Sequence, residues 1–155
     1  MKLFKYIPLL TVVFLASCLD QQPISEIGEG NFYKNTAQMN QAVIACYNGL
    51  QGSMKNEWMV TELRSDNARL QNTATTSADN TLLFNFDQAA ISASNKRVYE
   101  YWLATYHNIS RCNTVLKPQN LAVITDETLK NQYEGEALFI RAYHYFNLVR
   151  LFGPV

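Results

Sequence analysis

Two histidines and three cysteines are the whole supply of side chains best suited to relaying protons or holding soft metals in this chain of 155 residues. There is no CxxC pair and no Cys/His cluster, so a zinc site has no support. Glycine-rich phosphate loops, nucleophile elbows and HExxH helices are also missing, which leaves enzyme activity without a positive sign. His107 and His144 have no nucleophile or metal partner by motif, and both read as structural. Glu134 and Glu136 are two residues apart, so on a helix they point to different sides and cannot act as an acid–base pair. Charge of one sign is lacking too, with 13 basic and 13 acidic residues. A nucleic-acid surface would require a basic face. The expectation from these absences is a chain with no catalytic residues, no cofactor, no metal and no nucleic-acid partner.

Long apolar runs are scarce, and the one that exists is short. Lys2 and Lys5 precede an apolar run from Tyr6 to Ala16, whereas a membrane-spanning helix needs ~20 residues to cross ~30 Å of hydrocarbon. A basic start, a short apolar run and a close in small residues read as a secretory signal. The run ends in Leu15-Ala16-Ser17-Cys18, which looks like a lipobox, the site where a signal peptidase cuts before a diacylated cysteine. The alternatives are an ordinary signal peptide with an incidental cysteine, or a retained anchor. The lipobox predicts cleavage of residues 1–17 and a membrane tether on Cys18. Without Lys2 and Lys5 the mature chain is slightly acidic. The two remaining cysteines, Cys46 and Cys112, fall in helical patterns. A disulfide is chemically allowed after export, but spacing does not place the two together, and buried free thiols are the simpler expectation.

What remains reads as helix throughout. Residues 18–34 form a polar tether with Pro23, Gly28 and Gly30, and residues 35–155 form the helical region. Apolar spacing predicts a first helix over about 36–50, loosened by Gly49 and Gly52, then a short helix near 55–63. Residues 64–94 are rich in small polar side chains that favour turns, so a long irregular insertion is expected there. Leu82 to Phe86 interrupts it and is too short to assign. Val98, Trp102, Tyr106, Ile109, Cys112 and Leu116 make one stripe of a third helix, capped by Asn95 and stopped by Pro118. The last helix starts at a Thr125 or Asp126 cap and ends at Phe152-Gly153-Pro154. It carries one apolar face through Leu129, Tyr133, Ala137, Ile140, His144 and Leu148, and a second through Phe139, Ala142, Tyr143, Phe146 and Val149. Two apolar faces predict a helix sandwiched between neighbours, with its aromatic residues in the core and Gly135 at a close approach. Arg141 is expected to pair with Glu134 or Glu136.

The stretch from Gly135-Glu136-Ala137 through Phe139-Ile140-Arg141-Ala142, Tyr145-Phe146-Asn147-Leu148 and Phe152-Gly153-Pro154 closely resembles the signature of the SusD/RagB family, nutrient-binding lipoproteins of the Bacteroidetes outer membrane. Other landmarks are similar in order: Cys18-Leu19-Asp20, Ala42 to Leu50, Asp66, and Trp102, Tyr106, Ile109 and Asn113. The resemblance implies an all-α fold of tetratricopeptide-like helix pairs. Ala142-x3-Phe146 matches half of that repeat's pattern, and a clean first half is missing. Family members are considerably longer, so the chain reads as an N-terminal portion. The family role implies capture of glycans or other nutrients at the cell surface and delivery to a TonB-dependent transporter. A non-sugar-binding module that docks on the transporter is the second reading.

Sugar capture uses aromatic walls with a few placed polar groups. The segment from Arg64 to Phe86 offers Arg64, Asp66, Asn67, Arg69, Asn72, Asn80, Phe84 and Phe86. Asp66, Asn67, Arg69 and Asn80 are the candidate ligand residues. Equally, Asp66, Asn67 and Arg69 fit a helix cap and an ion pair. Trp58 and Trp102 are alternative platforms, although Trp102 lies on the expected core stripe.

Overall fold

The structure is a computed structural model that describes residues 31–71 and 77–155; Cys18, the signal peptide and Asn72 lie outside them. The architecture below is that of Tyr33–Val155. Every regular element among the described residues is a helix: α1 (Thr36–Glu62), α2 (Ala78–Asp87), α3 (Lys96–Val115), α4 (Pro118–Leu121) and α5 (Glu127–Phe152).

Polar side chains set most of the boundaries. Asn35 starts α1 by accepting from the Gln38 N–H at 3.0 Å. Asp126 starts α5 by accepting from the N–H groups of Thr128 and Leu129, and Glu127 sits in the first turn, where the helix dipole favours an anion. Gly153 ends α5 at φ +84°, a conformation that costs glycine least. Pro118, expected only as a stop, also occupies the first turn of the single-turn α4, where its missing N–H costs nothing.

Asn95 has two tasks. Its Oδ1 accepts from the Arg97 N–H at 2.9 Å and caps α3, while its Nδ2 donates to the Leu82 carbonyl at 2.9 Å and ties α2 to α3. Loss of a cap costs about 1 kcal/mol, and the lost bond to the Leu82 carbonyl costs about 1 kcal/mol more. Asn95→Ala is therefore expected to lower stability by about 2 kcal/mol, read from the urea midpoint at unchanged slope.

Contacts fix the helix directions. On α1 and α3, Cys46 meets Asn108 and Gly52 meets Ala104, so the two run antiparallel. Asn108 meets His144 and Asn113 meets Arg141, so α5 is antiparallel to α3. Tyr133 donates to Asn40 at 3.0 Å and Tyr143 to Glu57 at 2.7 Å, which makes α1 and α5 parallel neighbours. This up-down-up stacking is the layout of consecutive helix pairs. Met59, Val60, Leu63, Phe86, Tyr101, Ile109 and Leu148 form the core where α2 closes the end of the three long helices.

Several expectations change. The predicted break at Gly49 and Gly52 does not occur, because α1 is one continuous helix of 27 residues. Gly49 is buried against Asn108, so it permits close packing and does not end the helix. The insertion holds the ten-residue α2 between its irregular parts. On α3 the buried side is Tyr101, Thr105, Asn108, Ile109, Cys112 and Val115. That side includes the polar residues Asn108 and Thr105, the latter donating to the Tyr101 carbonyl at 2.8 Å. Trp102 is thereby turned to the rim, 36% exposed, against Tyr106 and Phe152. Arg141 donates to Asn113 at 2.9 Å and makes no pair with Glu134 or Glu136.

The first apolar face of α5 is buried as expected, through Tyr133, Ala137, Ile140, His144 and Leu148. The second is open: Phe139 is 71% and Phe146 62% exposed. These rings are not core in this chain. Gly135 has no atom near its missing Cβ, so no close approach among the described residues explains it.

Candidate functional site

The chain leaves α1 through a tight polar turn. The Ser65 N–H and hydroxyl both reach the Glu62 carbonyl, and the Asn67 N–H donates to the Ser65 hydroxyl. Asp66, Asn67 and Arg69 follow on this turn, all exposed. Among the described residues their side chains make no hydrogen bond or ion pair, so the expected helix cap and salt bridge are not formed. Asn80 belongs to a different element. It is half-buried in the first turn of α2, where its backbone N–H meets the Ser77 hydroxyl. No hydrogen bond joins it to the other three.

None of these four lines the cavity of about 210 Å³ formed by Val60, Arg64, Phe86, Ile91, Val98 and Leu151, among others. Phe86, a candidate sugar face in the sequence, is 3% exposed and belongs to the core. Ligand pockets usually run ~300–1,000 Å³, so this cavity accommodates a small apolar group and is too small for an oligosaccharide. Arg64 stands at its edge and also lines the neighbouring depression with Ser65 and Arg150.

Two buried polar arrangements lie between the long helices. Asn108 donates from Nδ2 to the Cys46 carbonyl at 2.9 Å and to His144 Nε2 at 2.8 Å. Because Nδ2 can only donate, Nε2 must accept, and His144 is a neutral imidazole with its proton on Nδ1. Nδ1 itself is buried without a partner among the described residues. Burial pushes the His144 pKa down to about 4. A base depressed in the folded state contributes stability that is intact above the unfolded value near 6.5 and is lost as pH falls toward 4. We expect the fold to lose on the order of 2 kcal/mol between pH 7.5 and pH 5 from this group. His144→Gln should flatten that part of the pH–stability curve. Across the same interface Cys46 and Cys112 are both buried and free. The neighbouring Cys112 thiol and then burial push the Cys46 pKa far above the usual thiol range. His107 is exposed on α3. Among the described residues no three His, Cys, Asp or Glu side chains gather to hold a metal.

A family model described as "Starch-binding associating with outer membrane" matches residues 18–155. The chain belongs to the SusD-like family. A curated relative, SusD-like protein P2 of Formosa agariphila, is 29% identical over 164 aligned residues, covering the whole of this chain and 31% of the relative. The chain thus spans about a third of the length of the curated relative it matches. No solved structure matches.

The SusD-like match begins at Cys18, the residue at which the lipobox would be cut, and leaves out the stretch assigned to the signal peptide. The family's description names binding and an outer-membrane association, and no reaction. No helix among the described residues is long and apolar enough to cross a membrane. Of the aromatic candidates, Trp58 is 58% exposed and Trp102 36%. Sequence reasoning missed the setting of Trp58, which lines a shallow groove with Tyr143 of α5, 85 residues on, because no local spacing signals that neighbour.

Proposed function

We propose that this SusD-like chain is the N-terminal portion of a surface lipoprotein that binds glycans and passes them to a TonB-dependent outer-membrane transporter. In this reading a signal peptide of residues 1–17 is removed, and Cys18 carries the acyl chains. One chain alone binds a membrane only marginally, so several on one cysteine are required for a stable anchor. The observation that carries the proposal is the family match that begins at Cys18 and runs to Val155. The free polar groups of Asp66, Asn67 and Arg69, with Asn80 nearby in sequence, are proposed as ligand contacts.

A second reading is a helical module that docks on the transporter and binds no sugar. It is favoured by the exposed apolar face of α5, a surface suited to a protein neighbour. A glycan array probed with the full-length protein, run beside co-purification from solubilised outer membranes, separates the two. Capture of at least one glycan with the transporter supports the first reading. Retained transporter and no glycan at all supports the second.

A further inference from the structure

Between the parallel pair α1 and α5 runs a shallow groove of about 260 Å³ lined by Met54, Glu57, Trp58, Thr61, Glu62 and Tyr143. Trp58 is more than half exposed on its wall. Beside it the Glu57 carboxylate takes the Tyr143 hydroxyl on Oε2 at 2.7 Å. Burial, then that bond, raises the Tyr143 pKa, so the phenol keeps its proton and stays the donor. The carboxylate is therefore fixed in place across two helices. An ionised carboxylate has about four lone-pair sites, and the second oxygen, Oε1, has no protein partner among the described residues. Through Thr61 the groove continues into the depression lined by Arg64, Ser65 and Arg150.

We propose that this groove is a saccharide subsite, with Trp58 as the platform for the apolar face of a sugar ring and Glu57 as the acceptor for its hydroxyls. The inference rests on the glycan-binding reading and locates part of it. The chemistry selects the ligand class. A pyranose has an apolar face and an equatorial rim of hydroxyl donors, and the groove sets a large aromatic face beside a held carboxylate. An amphipathic helix would want a continuous apolar stripe, and here Glu57 and Glu62 interrupt it. Both partners stand on rigid helices, which hold a site more closely than loops do. The groove is too shallow to enclose a whole ligand, so it holds one stretch of a longer glycan whose remainder extends toward Arg64.

The test is calorimetric titration of full-length protein with maltoheptaose and with a panel of neutral and anionic oligosaccharides. Trp58→Ala should weaken the affinity for the bound glycan at least tenfold, Trp58→Phe should retain most of it, and Glu57→Gln should fall between. Trp58 is exposed, so the thermal midpoint of Trp58→Ala should stay where it is. Glycan binding by the unsubstituted protein with an unchanged Kd in Trp58→Ala overturns the subsite and leaves the glycan-binding reading standing. Binding of no oligosaccharide by the unsubstituted protein overturns both. A marked fall in the thermal midpoint of Trp58→Ala, or loss of transporter co-purification at unchanged glycan affinity, shows that protein fills the groove and overturns the subsite.

Discussion

Gly49→Ala is expected to destabilise the helical body by about 3 kcal/mol, although alanine is the better helix former. A Cβ at Gly49 would fall within the side-chain amide of Asn108. That amide has nowhere to go. Asn108 is fully buried, and both of its N–H groups are used, one by the Cys46 carbonyl and one by His144. Moving it breaks both bonds and orphans buried polar atoms at ~1–3 kcal/mol. Keeping it forces α1 and α3 apart, at a similar overpacking cost. Either route outweighs the gain of ~1 kcal/mol that alanine brings to a helix interior. Gly52, one turn on, is the control. A Cβ there would meet the Ala104 methyl at 3.5 Å, an ordinary contact. Gly52→Ala should thus be neutral or stabilise by up to about 1 kcal/mol. Urea denaturation of both variants checks the pair, and equal effects would contradict the packing described for Asn108.

Cys18→Ala should move the protein from the membrane fraction to the soluble fraction almost completely. The expectation follows from the anchor chemistry. Each acyl CH₂ contributes about 0.8 kcal/mol of membrane affinity, so a multiply acylated cysteine is in effect permanent and its removal leaves nothing comparable. No helix among the described residues can replace it as a span. Fractionation of cells followed by detection in pellet and supernatant measures the change. A variant that stays with the membrane would place the anchor elsewhere.

Much of this fold was legible in the sequence because the signals were local. Asn95, Asp126 and Gly153 mark helix ends through bonds to their own backbone neighbours, and the expected bounds hold there. The first face of α5 was equally legible, because a spacing of three and four residues reports a buried stripe directly. Signals that need a distant partner were not readable. Gly49 looks like a helix breaker until Asn108, 59 residues away, is seen in the space its side chain would occupy. Of the buried side of α3, Ile109 and Cys112 lie on the expected stripe, while Thr105 and Asn108 are polar and their satisfaction depends on α1 and on the helix backbone. The second face of α5 was read correctly as apolar and wrongly as covered. A pattern reports that a neighbour is wanted and is silent on which part of a protein supplies it. For the site the balance is poorer. Asp66, Asn67 and Arg69 are exposed, Phe86 is core, and the placing of Trp58 with Glu57 and Tyr143 could not be seen without the helix directions.

The central claim is glycan capture at the cell surface by a lipid-held SusD-like protein. The most direct measurement is binding of a fluorescent glycan, chosen from the array, to intact cells that carry the protein, before and after mild protease shaving and again with Cys18→Ala. Glycan bound to the cells should fall with shaving and fall equally in the variant, in step with loss of the protein from the surface. Cell-bound glycan that stays constant while the protein is stripped or released would contradict the account.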